Sequence, residues 1–242
     1  MNDILTHLLT TASQVTAIDP QNVIPLEDEY LLDEKGVLRA LPASWWRETS
    51  PEQRAIFGQK HGIYSFPTVE GVQFIRECIN GRERQTIEIG SGNGGWGKSL
   101  GIRATDSYLQ TRPDVAAKYK AMRQPQAKYG PHVEKLEAIK AVRRYRPTIV
   151  VASWVTQKFR ADRFCMRGNA DGVDELRLLE LVDEYILIGN TAQHGDKMII
   201  EDIQKGRSTH EVVAAVFEDL SSRALMGEDF ILHIRRRKAI DG

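Results

Sequence analysis

The feature that most constrains the fold is an alternation of short apolar runs with amphipathic segments, which begins at residue 86. The runs have the length of buried strands. Strands are predicted at Thr86–Ile89, Ile102–Asp106, His132–Val133, Thr148–Ala152, Tyr185–Ile188 and Phe230–Arg235. Helices are predicted at Asp114–Met122, Leu136–Val142, Val173–Leu179 and His210–Leu220. This alternation indicates an α/β fold, a doubly wound and mostly parallel sheet with helices on both faces.

The first 80 residues lack this alternation, so the sequence predicts a helical N-terminal extension at 1–80 and an α/β domain at 81–242. Residues 50–53, Ser-Pro-Glu-Gln, have the capping-box pattern of a helix start. Nearer the N-terminus, another helix is predicted from apolar residues at helical spacing: Ile4, Leu5, Leu8, Leu9 and Ala12.

Two further features concern the end of the extension. Thr68 precedes a predicted helix that carries Val72, Ile75 and Ile79 on one face. The adjacent aromatic pair Trp45–Trp46 either anchors the extension onto the sheet or forms a lid over a substrate. The extension is therefore expected to pack against the α/β domain.

Charge and cysteine content narrow the classes of function. Lys plus Arg and Asp plus Glu both total 33, so the chain has no overall attraction to nucleic acid or to anionic membranes. Basic runs at 143–146 and 235–238 are explained as well by a solvated helix end and a strand end. Cys78 and Cys165 form neither a metal-binding spacing nor a disulfide framework, so no metal site is expected.

The chain carries no evident targeting or membrane segment. The N-terminal stretch MNDILTHLLTTA has no basic start and no long apolar run, which disfavours a signal peptide. No segment approaches the roughly 18 apolar residues of a membrane span. The sequence therefore predicts a soluble, cytoplasmic protein without a membrane partner, and it carries no signal for an oligomeric state.

The stretch TIEIGSGNGGWGKSL, residues 86–100, supports two incompatible predictions. GNGGWGKS at 92–99 satisfies G-x-x-x-x-G-K-[ST], the pattern of the P-loop, which binds nucleotide phosphates. EIGSGNG at 88–94 satisfies a different pattern, an acidic strand end followed by alternating glycines, which is typical of folds that bind nucleoside cofactors. The P-loop interpretation describes a nucleotide hydrolase that requires Lys98 and Ser99 and binds ATP or GTP with magnesium.

The length of the next connection favours the second interpretation. The chain has 12 residues from Gly90 to Gly101, and a parallel crossover with its helix needs at least about 10–12. These residues accommodate a short helix that begins near Gly95, but not one that begins at Gly97. The P-loop interpretation survives only if residues 97–108 form one continuous helix.

The missing magnesium ligand points the same way. P-loop enzymes hold magnesium with an acidic residue at the end of another buried strand. The runs VVASW and ILIGN, which end two predicted buried strands, contain no Asp. We therefore interpret the GKS match as a coincidence and Lys98 as a solvated residue on a short helix.

The residues around the glycines predict a nucleoside-binding site. Gly90, Gly92 and Gly94 follow the strand that contains Glu88, and their missing side chains let a ligand approach the backbone closely. The next strand ends in Asp106, whose carboxylate can accept two hydrogen bonds from ribose hydroxyls. Both strand ends are expected at the carboxyl edge of a parallel sheet, where ligands bind.

These motifs resemble those of the class I S-adenosylmethionine-dependent methyltransferases, over about residues 85–235. TIEIGSGNG resembles the family's first motif and ATDS its second, with Asp106 at the ribose-binding position. Glu134, in HVEKLEA, matches the acidic residue that usually faces the adenine amine. VVASWV resembles the fourth-strand motif, which implies that Ser153 and Trp154 border the cofactor's methionine part and the substrate. YILIGN resembles the fifth strand and FILHIRRR the antiparallel last strand.

The resemblance implies a Rossmann-like domain with S-adenosyl-L-methionine as cofactor and an unidentified methyl acceptor. VVASWV lacks the Asn-Pro-Pro-Tyr pattern of amine-directed DNA and RNA methylases, and no Pro-Cys pair suggests attack on cytosine. The sequence shows no basic surface large enough to demand nucleic acid and no apolar groove for a lipid. A small molecule or a protein side chain is therefore the preferred acceptor; nucleic acid stays open as an alternative that is not favoured.

Three residues are candidates for catalysis. His61 and Tyr64 lie in FGQKHGIYSFPT. N-terminal extensions of the resembled family often cover the cofactor, so the resemblance implies that both residues line the substrate pocket; a turn-capping histidine and a core tyrosine are the alternatives. His194 follows a predicted strand at the ligand-binding edge. Trp154 either offers a ring face to a sulfonium cation or packs at a strand end. Because no general base is evident, an inactive protein that uses the fold as a scaffold is a further hypothesis.

Overall fold

The structure is a computed structural model that describes residues 22–122 and 124–238. The helix predicted from Ile4 to Ala12 lies outside these residues. Within the two described ranges, no helix is long and apolar enough to cross a membrane.

The described strands form one large and one small sheet. They are β1 (Ser65–Phe66), β2 (Thr86–Ile89), β3 (Arg103–Asp106), β4 (Val133–Lys135), β5 (Ile149–Ser153), β6 (Glu184–Asn190), β7 (His210–Val216), β8 (Ser221–Ser222) and β9 (Asp229–Arg236). The large sheet has the order β4-β3-β2-β5-β6-β9-β7, and β1 pairs with β8 in the small one. Strands β4 to β6 in that order run parallel, whereas β9 is antiparallel to both of its neighbours. The predicted mostly parallel sheet with an antiparallel last strand is confirmed.

Helices cover both faces of the large sheet. They are α1 (Asp28–Leu31), α2 (Ala43–Arg47), α3 (Pro51–His61), α4 (Val69–Ile79), α5 (Gly95–Leu100), α6 (Pro113–Ala121), α7 (Ala138–Tyr145), α8 (Glu175–Leu181), α9 (Thr191–His194) and α10 (Met198–Gln204). Ile75 of α4 packs with Ile149 on one face, and Leu178 of α8 packs with Val150 on the other. Because its strands are buried on both faces, the sheet reads as continuous apolar runs in the sequence.

The order of the strands creates a crevice at one edge of the sheet. β2 lies beside both β3 and β5, so the chain turns to one side after β2 and returns on its other side. A doubly wound sheet binds ligands at such a reversal, outside the carboxyl ends of the strands. The candidate site therefore lies where β2, β3, β5 and β6 end.

One predicted helix is wrong: the segment His210–Leu220 contains β7, which covers His210–Val216. Its Ala and Glu residues favour a helix, but Val212 and Val213 are β-branched and fit a pleated strand. Seven-residue β7 pairs antiparallel with β9 and has a register shift between Val212 and Ala214. Pairing with a long neighbouring strand overrides the local helical preference.

The part of the N-terminal extension within the described residues has a small core of its own. Trp46 is buried and stacks on Phe66 of β1, with ring centroids 4.5 Å apart. The predicted capping box is confirmed at α3, where Ser50 Oγ accepts a hydrogen bond from Gln53 N–H and Gln53 Oε1 accepts one from Ser50 N–H. β1 then pairs with β8, which ties the extension to the segment before β9.

Candidate functional site

The glycine loop at 90–94 folds back onto the tip of β3. Gly92 N–H donates a hydrogen bond to Asp106 Oδ2 at 2.9 Å, and Ser91 donates from its N–H and its hydroxyl to Thr105 O. Gly92 has φ +51°, in the left-handed region where side chains are disfavoured. The loop and the end of β3 are therefore joined by hydrogen bonds at the carboxyl edge of the sheet, where both strand ends were expected.

Asp106 is held in place by backbone donors on both sides. Its Oδ1 accepts a hydrogen bond from Tyr108 N–H at 2.8 Å, while Oδ2 accepts the one from Gly92. Burial raises the pKa of Asp106 above its ordinary value. Each carboxylate oxygen has two lone-pair sites, so both oxygens keep acceptor capacity for a ligand.

Asp106 lines a cavity of about 350 Å³, which we call the Asp106 cavity. The predicted site residues that line it are Tyr64, Gly90, Gly92, Asp106, Ser153 and Trp154. Tyr129 and the loop after β3 close its far side. A volume of this size is at the lower end of the range for small-molecule and cofactor sites.

A second cavity of about 520 Å³ lies beside the first, and we call it the His194 cavity. Its other walls come from the segments after β5, after β6 and after β8. Five residues line both cavities: Tyr64, Trp154, Val155, Thr156 and Arg223. The two cavities therefore meet at a common wall at the carboxyl edge of the sheet.

Two aromatic side chains stand in the common wall. Trp154 has φ +55°, an uncommon value for a residue with a side chain. Its backbone N–H donates a hydrogen bond to Ile188 O at 2.9 Å. Its ring lies 5.0 Å from that of His194 and 6.0 Å from that of Tyr64, between centroids. The unusual backbone angle places the indole at the junction rather than within the sheet's apolar layer.

The structure does not bring His61 to either cavity. His61 Nε2 lies 2.8 Å from Asp28 Oδ1, and its ring packs 4.8 Å from that of Phe57. The side chain is buried at the end of α3, in the small core of the extension. His61 therefore does not line the pocket where it was expected, because its contacts with Asp28 and Phe57 hold it in the core of the extension.

His194 lines the second cavity but does not have the properties of a general base. Asn190 N–H donates a hydrogen bond to its Nδ1 at 3.0 Å, which leaves the ring proton on Nε2. Burial and the nearby Lys197 lower the pKa of His194 from 6.5 to about 3. At neutral pH the ring is therefore uncharged and does not act as a general base.

Glu88 supports the glycine loop from below and lines neither cavity. Its Oε2 accepts a hydrogen bond from Gly97 N–H at 2.9 Å, and burial raises the pKa of this carboxyl group from 4.5 to about 8. A Cβ on Gly97 would lie only 2.6 Å from the same oxygen. Gly97 is thus explained by its packing against Glu88.

The P-loop geometry is not present in this segment. α5 begins at Gly95, as the crossover length required, and ends at Leu100. Lys98 N–H donates to Gly94 O within the helix, and Ser99 Oγ donates to Gly95 O. Lys98 Nζ forms an ion pair with Asp33. These groups are engaged within the chain, so they do not form a phosphate cradle.

Gly94 and Glu134 also lie away from the Asp106 cavity. Gly94 precedes α5, and its carbonyl lies 3.0 Å from His132 Nε2. Glu134 accepts hydrogen bonds from Arg144 Nη1 at 2.8 Å and from the Tyr145 hydroxyl at 2.5 Å. These partners on α7 hold the carboxylate of Glu134 away from the residues that line the cavity, and its adenine contact stays a prediction.

Sequence reasoning missed several residues that line the cavities. Tyr129 stacks on Tyr108 with ring centroids 3.9 Å apart, and it closes the Asp106 cavity. Arg223 stands in the common wall, 157 residues after Phe66 of β1. Tyr129 lies in a stretch without periodicity and Arg223 follows a two-residue strand, so neither had a pattern that could reveal it. Among the described residues, no cluster of His, Cys, Asp or Glu could hold a metal ion.

Comparison with known proteins gives little more. No protein-family profile matches the chain, and no curated protein matches it. The chain is similar to the solved structure of Sp1610 of Streptococcus pneumoniae, a candidate tRNA (m1A22) methyltransferase, with 13% sequence identity and a TM-score of 0.34. The match covers 65% of this chain and 65% of that chain, which is less than two thirds of its length. At this TM-score the likeness supports no inference about function or residue roles.

Proposed function

We propose that the chain is an S-adenosylmethionine-dependent methyltransferase whose acceptor is a small molecule or a protein side chain. The observation that carries the proposal is the common wall between two cavities at the carboxyl edge of the sheet. A transferase for two substrates needs two sites that meet at the reacting atoms, and this arrangement provides them.

The Asp106 cavity has the features that suit the nucleoside part of the cofactor. Gly90 and Gly92 present bare backbone, and Asp106 retains acceptor capacity for two ribose hydroxyls. Tyr129 offers an aromatic surface at the far side. The residues present therefore fit the cofactor, with Ser153 and Trp154 at the side toward the His194 cavity.

When bound, S-adenosylmethionine supplies an electrophilic methyl group on a sulfonium. The chain's own contribution is to hold two ligands in contact at the common wall, where the rings of Tyr64 and Trp154 lie 6.0 Å apart between centroids. His194 donates a hydrogen bond from Nε2 and orients the acceptor, since its low pKa prevents it from taking a proton. An acceptor whose nucleophile is unprotonated at neutral pH needs no base in this site.

The test is calorimetric titration of the purified protein with S-adenosylmethionine, S-adenosylhomocysteine and Mg-ATP. We expect both adenosyl ligands to bind and ATP to be silent. Asp106→Asn should weaken adenosyl binding by about 10- to 100-fold, because hydrogen bonds to a charged acceptor contribute about 1.5–3 kcal/mol. Asp114→Asn is the matched control, since this exposed carboxylate pairs with Arg112 and lines neither cavity.

Two outcomes would overturn the proposal. Unchanged binding of S-adenosylhomocysteine by Asp106→Asn would remove Asp106 from the site. Magnesium-dependent ATP binding that is lost in Lys98→Ala would restore the P-loop interpretation instead. If the adenosyl ligands bind but no small-molecule or protein extract yields a methylated product, the fold serves as a binding scaffold.

A further inference from the structure

Arg223 is a cation without an anionic partner in the common wall. Among residues 22–122 and 124–238, no carboxylate oxygen lies within 4.0 Å of the Arg223 guanidinium, the distance that defines an ion pair. Arg167, which lines the His194 cavity only, lies 3.4 Å from Asp196 by contrast. Arg223 is also only partly exposed. An unpaired guanidinium that is partly withdrawn from water costs free energy unless a ligand supplies the counter-charge.

The surrounding chain is shaped to hold Arg223 in this position. Its backbone N–H donates a hydrogen bond to Tyr64 O at 3.0 Å, directly beyond the pairing of β1 with β8. A Cβ on Gly58 would lie 2.6 Å from the Cβ of Arg223, so only glycine leaves room for the arginine stem. The position is therefore fixed by both the backbone and the packing.

The Arg223 guanidinium lies against the ring of Tyr64 at the junction of the two cavities. Arg223 Cζ lies 3.6 Å from the centroid of the Tyr64 ring, and both side chains line both cavities. Burial lowers the pKa of Arg223, because desolvation disfavours the charged guanidinium. A guanidinium carries five N–H donors, so Arg223 keeps donors for a carboxylate or phosphate beyond its contact with Tyr64.

We propose that Arg223 binds an anionic group, a carboxylate or a phosphate, of a ligand that lies at the junction of the Asp106 and His194 cavities. The inference rests on the proposed function for the identity of the two ligands. The anion belongs either to the amino-acid part of the cofactor or to an acidic acceptor. Both sources use the same fork of donors, and the two arms below separate them.

The first arm titrates the wild type, Arg223→Gln and Arg160→Gln with S-adenosylhomocysteine and with 5′-methylthioadenosine, which lacks the carboxylate. Arg160 is an exposed residue paired with Asp162, and its variant removes the same charge. If the cofactor supplies the anion, Arg223→Gln binds S-adenosylhomocysteine about 10- to 100-fold more weakly and methylthioadenosine equally well. Arg160→Gln should bind both as the wild type does.

The second arm measures the melting temperature of the three proteins in acetate and in inorganic phosphate against chloride at constant ionic strength, with and without S-adenosylhomocysteine. If the acceptor supplies the anion, acetate or phosphate stabilises the wild type and Arg160→Gln in the presence of S-adenosylhomocysteine, but not Arg223→Gln. Arg223→Lys should recover only part of the effect, because an ammonium lacks the planar fork.

The outcomes separate this inference from the proposed function. If the wild type binds no adenosyl ligand but responds to the anions through Arg223, the methyltransferase proposal fails and the anion site stands. If Arg223→Gln equals the wild type in every titration and every melting curve, the anion site is overturned. Circular dichroism of Arg223→Gln checks that the variant is folded, and Arg223→Lys provides the comparison if it is not.

Discussion

The two cavities share five lining residues, but the rest of each cavity is lined by a different kind of chain segment. The Asp106 cavity is bounded by bare backbone at Gly90 and Gly92 and by a strand tip at Asp106. The His194 cavity is bounded by side chains from separate segments after β5, β6 and β8. Residues of a wall that is built from strand ends follow the strands directly in the sequence and can be found there. Residues of a wall that is built from separated segments come together only in the complete fold.

The buried titratable groups beneath the two cavities differ as well. Beneath the glycine loop, Glu88 is a buried carboxyl group with a raised pKa and only neutral donors around it. Beneath the His194 cavity, Lys197 and Glu175 form a buried ion pair of 2.5 Å, and each side chain is 2% exposed. We therefore expect the two sides of the site to respond differently to mutation and to pH.

The largest expected effect comes from breaking the ion pair below the His194 cavity. Lys197 Nζ also donates a hydrogen bond to Val155 O, so it links Glu175 to the common wall. Lys197→Met leaves the Glu175 carboxylate buried, with Tyr185 as its remaining donor. The free energy of unfolding, measured with urea, should fall by about 3–5 kcal/mol.

An exposed pair provides the control for this change. Lys205 forms an ion pair with Glu201 one helical turn away, and its side chain is 56% exposed. Lys205→Met should lower the free energy of unfolding by about 0.3–0.5 kcal/mol only. A loss in Lys197→Met as small as in this control would mean that the His194 cavity does not rest on buried charge.

The second prediction concerns pH and the Glu88 side. Folding raises the pKa of Glu88 from 4.5 to about 8 through burial, so the folded state binds this proton more tightly than the unfolded chain. Its contribution is fully present below pH 4.5 and is lost as the pH rises through about 8. Relative to Glu88→Gln, the wild type should lose on the order of 3 kcal/mol of unfolding free energy between about pH 5 and about pH 9.

The His194 side supplies the opposite sign in the same urea experiment. Burial lowers the pKa of His194 from 6.5 to about 3, so its contribution is present above pH 6.5 and is lost as the pH falls toward 3. Compared with His194→Asn, the wild type should lose free energy of unfolding as the pH falls. Compared with Glu88→Gln, it should lose free energy of unfolding as the pH rises. Parallel profiles for the wild type and both variants would contradict the contrast between the two sides.

The smallest expected effect tests the two residues of the GKS match against each other. Gly97→Ala places a Cβ 2.6 Å from Glu88 Oε2 and 3.0 Å from the Ala104 Cβ, so the unfolding free energy should fall by about 1–2 kcal/mol. Lys98→Ala removes one partly exposed ion pair with Asp33 and should cost less than about 1 kcal/mol. A larger loss for Lys98→Ala would show that the helix depends on its lysine.

Much of the sheet was predictable from the sequence, and so was the meeting of the glycine loop with Asp106. β2, β5 and β6 are buried on both faces, so the sequence shows them as apolar runs. The alternation of these runs with helical segments indicated a parallel sheet. Asp106 and the glycines follow strand ends directly, so the sheet's geometry placed them together. Local pattern was enough wherever one strand and its next turn set the environment.

The remaining residues depended on contacts that the local pattern does not contain. His61 faces Asp28 rather than the cavity, Glu134 faces α7, and Arg223 depends on the pairing of two very short strands. β7 was predicted as a helix because its pairing with β9 was not visible in its own residues. In each case a partner distant in the sequence determined the outcome.

The pairing of β1 with β8 has a consequence for how the protein matures during synthesis. Ser65 and Ser222 are paired although nearly the whole large sheet lies between them in the chain. Closing so long a loop costs conformational entropy. The pairing of β1 with β8 can form only after Ser222 has been synthesised. The parallel strands can therefore assemble before the Tyr64–Arg223 contact exists, and a truncated chain that stops before β8 would carry the glycine loop without the junction.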